Sequence, residues 1–225
     1  MEPFGSVWEE RMYNAAGALL AGARDVPGLA RGMAEFHALA EELANGAGAA
    51  AAACGPGCPH CCALNVSVLL PEAAAIAARL AEATPLPELP TLVGRLDDQR
   101  LRVRWMEDGE RVWRQIGCSF LDRGGSCAIH PYRPLMCRGV TSFDAALCRV
   151  AFDPTEPDPS RDVPTDMVRK RVMDGAFLAL VRAAGERGMD TRGIELAAGV
   201  GAFLARPDLG EALLAGQRLP GELWE

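Results

Sequence analysis

A chain of 225 residues, 49% hydrophobic and 24% charged, is long enough for one domain with a substantial core or for two small ones, and its make-up is that of an ordinary globular protein. A formal charge of −7 speaks against a general nucleic-acid binder, which needs a basic face, so no nucleic-acid partner is expected. No uncharged run approaches the roughly 18 apolar residues of a membrane span, and the first residues show no basic stretch followed by an apolar core. The expectation is therefore no membrane insertion and a cytoplasmic location, where eight cysteines point to metal or catalysis more than to disulfides.

Residues 1–53 read as two helices. Trp8, Met12, Ala16, Leu19 and Leu20 recur at helical spacing, as do Leu29, Met33, Phe36, Ala40 and Leu43, with Val26-Pro27-Gly28 as the break between the two sets. His37 falls on a face of the second helix and reads as structural. Residues 54–150 hold every cysteine. Within them Leu64–Val68 alternates like a short isolated strand, and Pro71-Glu72 opens a helix with proline in its first turn. A further helix is predicted over 90–106, with Leu92, Leu96, Leu101 and Trp105 toward the core. Residues 151–225 begin with an acidic, proline-rich connector over 152–164. A helix starts at Thr165-Asp166 and carries Met167, Val168, Val172, Met173, Phe177, Leu180 and Val181. Two last helices are predicted at 191–205 and 208–216, capped by Thr191 and Asp208. The expected fold class is mainly α, with irregular cysteine-rich metal-binding loops packed between helices and the three segments forming one compact domain.

The cysteines stand at 54, 58, 61, 62, 118, 127, 137 and 148, giving C-x3-C-x2-C-C and, 55 residues later, C-x8-C-x9-C-x10-C. A metal needs several deprotonated soft donors converging on it, and a tight loop such as CGPGCPHCC supplies two or three. Gly55, Pro56, Gly57 and Pro59 suit that loop, since glycine lets amides turn toward sulfur and proline fixes the turn. The side chains of adjacent Cys61 and Cys62 are expected to project in different directions, so that they serve two sites or only one of them ligates. In the second segment Asp122-Arg123-Gly124-Gly125 forms a turn across which Cys118 and Cys127 face each other, with Phe120, Leu121 and Ile129 buried beneath. Pro131 and Pro134 stiffen the approach to Cys137. Thiolates on a divalent metal leave net negative charge, which Arg133 and Arg138, beside candidate ligands, would offset, with an ordinary surface or interhelical salt bridge as the equal alternative for Arg138; Arg149 is similarly placed. His60 and His130 each lie within three residues of a cysteine, as ligands, as donors to one, or equally as solvent-facing or otherwise hydrogen-bonded histidines.

Other readings of these residues stand beside that one. Any single one of Cys118, Cys127 or Cys148 could be a small buried hydrophobe. Cys58-Pro59-His60-Cys61 has the spacing of a redox dithiol, but that use wants a preceding strand and a βαβ context, and leaves six cysteines without a role. Haem attachment needs histidine where Cys62 stands.

The set Cys54, Cys58, Cys61, Cys62, followed by Cys118, Phe120, Leu121, Asp122, Cys127, Ile129, His130, Arg133, Pro134, Cys137 and Arg138, resembles the YkgJ family of cysteine-cluster proteins, the zinc- or iron-chelating CxxCxxCC domain. Thr141-Ser142 and Cys148 match its next turn. The resemblance covers residues 50–150, and the helical tail looks like that of a longer bacterial branch. One departure is the first interval, three residues here against two in the family name. The resemblance implies an α-rich fold and metal binding, with all eight cysteines as candidate ligands and a metal ion or cluster as the partner. Zinc in two four-ligand sites would use all eight, whereas one [4Fe-4S] cluster would use four. The pattern is also similar to that of flagellin lysine methylases, which carry an iron–sulfur cluster; this implies a metal-dependent modification enzyme as an alternative. A helical adaptor with purely structural zinc is a further one. The sequence holds no Ser/His/Asp set, phosphate-binding glycine loop or S-adenosylmethionine motif, and Asp122 and Asp144 read as readily as turn and cap residues as proton-transfer groups. No protein partner is indicated.

Overall fold

The structure, a computed structural model, describes residues 7–153, 155 and 163–224; most of the acidic connector therefore lies outside the described residues. Helices α1 (Val7–Gly22) and α2 (Val26–Gly46) pack against each other and bury Met12, Ala16 and Leu20 on one side, and Leu29, Met33, Phe36 and Ala40 on the other. Trp8, Leu19 and Leu43 are half-buried. The break between the helices falls one step earlier than the sequence suggests. Asp25 is the cap, its Oδ1 accepting from Gly28 N at 2.6 Å, so Pro27 and Gly28 belong to the first turn of α2, where a missing N–H leaves nothing unsatisfied.

Helix α3 (Leu70–Ala83) starts where Pro71-Glu72 indicated, preceded by strand β1 (Ser67–Leu69). Helix α4 (Leu89–Val103) buries Leu92 and Leu96 but leaves Leu101 and Trp105, 53% and 78% exposed, in solvent. Leu101 is nine residues from Leu92, about two and a half turns, which carries it to the opposite face; Gln99 and Val103 continue the buried stripe. After the short α5 (Asp108–Trp113), α6 (Leu135–Gly139) and α7 (Ala145–Ala151), the long α8 (Met167–Glu186) is capped by Asp166, whose Oδ1 accepts from Val168 N and Arg169 N. Val172, Met173 and Leu180 are buried in it, while Met167 and Val168 of its first turn are exposed.

The strand at 67–69 is not isolated. It pairs antiparallel with β2 (Gly193–Glu195), Val68 opposite Ile194, in a place where a helix capped by Thr191 was expected. Both opposed side chains are buried, and this gain holds three residues extended before α9 (Leu196–Ala205) begins with Glu195 as its cap. Helix α10 (Asp208–Leu214) includes Asp208 within its first turn, with Pro207 in the cap position.

Packing runs in series: α8 on α1, α1 on α2, α2 on α3, α3 on α9, α9 on α4, with α2 also touching α8. The fold is thus mainly α, as expected, with six of the cysteines in loops and short turns between helices and Cys137 and Cys148 on the short helices α6 and α7. Helix α6 rests on α8, which anchors one of those short elements to the helical body. No described helix is long and apolar enough to cross a membrane.

Candidate metal centre

The first cysteine loop is built by turns. Cys58 N donates to Gly55 O at 3.1 Å, and a 3-10 turn at His60–Ala63 follows, with Cys62 N donating to Pro59 O at 2.9 Å. The second is a narrow hairpin. Leu121 and Cys127 form an antiparallel bridge, Ala128 N donates to Phe120 O, and Asp122 Oδ1 closes the tip by accepting from Gly124 N and Ser126 N. Phe120 and Ile129 are buried beneath it and Leu121 is half-buried. The two loops meet backbone to backbone through Gly57 (φ +80) and Gly125 (φ +75): a Cβ on Gly125 would lie 3.5 Å from Gly57 O and from Pro59 Cγ. Both glycines occupy the left-handed region at this one contact, where a side chain would be strained.

The consequence is that all eight cysteines, from segments far apart in sequence, line one cavity of about 490 Å³. Arg133, His60 and His130 line it too. Cys137 is brought there by α6, and Cys148, 8% exposed, by α7, whose N-cap is Asp144. Cys54 comes from the coil after α2 and is held to Ser142, whose N–H donates to its Sγ at 3.4 Å. Ala53 N donates to Ser142 O at 2.8 Å beside it.

Several sulfurs have an amide aimed at them. The backbone N–H two residues downstream donates to Cys58, Cys118 and Cys127, from His60, Phe120 and Ile129 respectively, and each such bond favours the thiolate. Burial opposes it. Burial raises the Cys58 and Cys127 thiols, pushes Cys118 up to about 11, and raises Cys137 further with the help of the neighbouring sulfurs. Cys61 is the exception. The Cys62 thiol donates to it and the Arg133 charge assists, which brings Cys61 down to about 7 while Cys62 is raised. Cys61 and Cys62, on adjacent positions of one short turn, thus act on each other's protonation.

Among the described residues, no three cysteine, histidine, aspartate or glutamate side chains converge closely enough to hold an ion as they stand. Neutral thiols have no charge to draw them to a point, and those here bond to amides and to one another. In kind and number the donors fit zinc or iron: soft sulfur ligands, amides already supporting several of them, and the Arg133 Nε, which is buried with no hydrogen-bond partner among the thiols it faces. The Thr141 hydroxyl is likewise buried and unpartnered on the cavity wall.

Arg138 forms the interhelical ion pair, one of the two readings open for it. Its Nε and an Nη donate to Arg133 O and Pro131 O at 2.8 and 2.9 Å, and its other Nη meets Glu41 of α2 at 3.3 Å. It is absent from the cavity wall and braces the loop that presents Arg133. Arg149 is exposed. His37, 3% exposed, is structural as read: its Nε2 lies 3.5 Å from Glu72 Oε1. Glu72 itself escaped the sequence reading. Its Oε1 accepts from Leu135 N at 2.8 Å and its Oε2 from Leu69 N at 3.3 Å, so one buried carboxylate ties α3 to the start of the Cys137 helix. The local signal, a glutamate in the first turn after proline, reveals the cap and not the distant partner. On the far wall of the cavity Arg111, 2% exposed, donates to Asn65 Oδ1 at 3.2 Å and stands 4.0 Å from Glu195, a carboxylate whose pKa burial raises.

No curated protein and no solved structure matches the chain. Residues 53–149, the stretch that holds all eight cysteines, match the family model CxxCxxCC, described as a "putative zinc- or iron-chelating domain".

Proposed function

We propose that the chain chelates zinc or iron through Cys54, Cys58, Cys61, Cys62, Cys118, Cys127, Cys137 and Cys148, with Arg133 offsetting the thiolate charge and Arg138 holding Arg133 in place. The observation that carries this is the meeting of all eight sulfurs on one cavity. Bound metal would supply a crosslink between two loops that meet at Gly57, Gly125 and Pro59. All eight cysteines are free thiols, which suits a reducing, cytoplasmic setting. The redox-dithiol reading is weakened: burial raises Cys58, and the donor that lowers Cys61 is Cys62 rather than its C-x-x-C partner.

The test is elemental analysis with an optical spectrum on protein purified without oxygen. Stoichiometric zinc in a colourless protein, or iron with broad absorption near 400 nm for a cluster, supports chelation; metal-free, folded protein that takes up neither metal refutes it. Cys61→Ser and Cys137→Ser are expected to lose metal, and unchanged content in both would contradict the ligand assignment. A second reading, a metal-dependent modification enzyme, is favoured by one observation. At about 490 Å³ the cavity lies within the range of small-molecule sites, and its wall includes the Arg111–Glu195 pair.

A further inference from the structure

We infer that the eight thiols divide into two adjacent four-sulfur centres, Cys54, Cys58, Cys61 and Cys148 in one, Cys62, Cys118, Cys127 and Cys137 in the other, so that the chain takes two metal ions. This rests on the chelation reading and adds the partition, which neither the spacing nor the family description provides.

The first set is drawn together by one loop and one helix. Intervals of three and two residues separate Cys54, Cys58 and Cys61, both within the spacing by which a single loop places two sulfurs on one ion. Cys54 is fixed to Ser142, whose hydroxyl accepts from Asp144 N at 3.1 Å, and Asp144 caps α7, the helix that carries Cys148. Helix α7 in turn packs on the 60–63 turn. Cys54, Cys61 and Cys148 all stand within electrostatic reach of Cys58.

The second set surrounds the hairpin. Cys118 and Cys127 lie on its two arms, and Cys137 sits within reach of both. Cys62 is within reach of Cys118 and Cys127. Positive charge lies beside this set, Arg111 acting on Cys118 and Arg133 on Cys127 and Cys137, with Arg133 reaching Cys61 of the first set as well. Cys61 and Cys62 mark the boundary. In a 3-10 turn successive side chains are about a third of a turn apart, so neighbouring residues can serve neighbouring ions. Cys61 touches both groups electrostatically, and the C-x2-C chelate with Cys58 assigns it to the first.

The experiment uses the full chain, stripped of metal without oxygen and titrated with zinc. Two equivalents are expected, and Cys148→Ser and Cys137→Ser should each retain one, with the double variant retaining none. Because a variant could fail to fold, the same partition is read on the unaltered chain by stepwise zinc removal with alkylation and peptide mapping. One set of four cysteines should become reactive together while the other stays protected. A single equivalent, loss of both equivalents from either single variant, or exposure of a mixed set overturns the partition while leaving chelation intact. No zinc binding at all refutes the chelation reading itself.

Discussion

At Cys61 two neighbours decide the chemistry. The Cys62 thiol donates to its sulfur and the Arg133 guanidinium adds favourable charge, together outweighing burial and holding Cys61 near a pKa of about 7. In metal-free protein Cys61 should therefore be the first cysteine alkylated by iodoacetamide, its rate rising with pH to half-maximum near pH 7. Cys62→Ala removes the donor and should move that midpoint upward; peptide mapping across a pH series reads both. The other thiols behave in the opposite sense. Cys118, raised from its ordinary value to about 11, binds its proton more tightly in the folded than in the unfolded chain. Its contribution to metal-free stability is complete below pH 9 and is lost as pH climbs toward 11. Melting temperature of the stripped protein should accordingly fall over that interval. Zinc displaces these protons, so its affinity should rise with pH, with protons released to the buffer on binding.

Helices and loops show where sequence patterns stop being informative. The apolar spacing of α1, α2 and α8 was legible because each helix buries one face along most of its length, and a stripe repeated over several turns is hard to mistake. Residues 193–195 were not, since three residues carry no period and their extended form depends on Val68, more than a hundred positions earlier. The cysteine pattern likewise announced a chelating region, but the roles of Arg133 and Arg138 separate only in three dimensions, where carbonyls of the loop capture one guanidinium and leave the other among thiols. Glu72 is the plainest case of a joint between elements. Glu72→Ala would strand Leu69 N and Leu135 N in a fully buried place, at about 1–3 kcal/mol for each orphaned amide. A loss of about 3 kcal/mol is expected by urea unfolding, with zinc affinity also falling because the Cys137 helix loses its anchor; a change under 1 kcal/mol would show that water replaces the carboxylate. At the loop junction, Gly57→Ala should cost about 1–2 kcal/mol, the penalty of a left-handed conformation for a residue with a side chain.

The described residues form a helical body with a cysteine-lined face. Helices α8, α1, α2, α3, α9 and α4 pack in sequence through Met12, Phe36, Ile76, Leu180 and Val200, none of which lies in a cysteine loop, and Phe120 and Ile129 of the hairpin join the same core. That core buries its apolar surface whether or not metal is bound, so the body does not depend on the centre as a zinc finger does. The loops are in a different position. Residues 54–64 and 118–134 contain only short turns and one bridge, and their sulfurs, mostly neutral without metal, offer little attraction across the cavity. Removing the metal should therefore leave helical circular dichroism nearly unchanged while amide exchange in these two stretches accelerates by a factor of ten or more, about 1.4 kcal/mol of lost local stability. Helices α6 and α7 should respond differently from each other. The first is tied to the body by Glu72 and by its packing on α8, whereas the second is held through Asp144, Ser142 and Cys54, all within the cysteine face. Exchange in 145–151 should thus rise with the loops and exchange in 135–139 should not. Collapse of the entire exchange pattern on metal removal would instead make the centre the organiser of the fold.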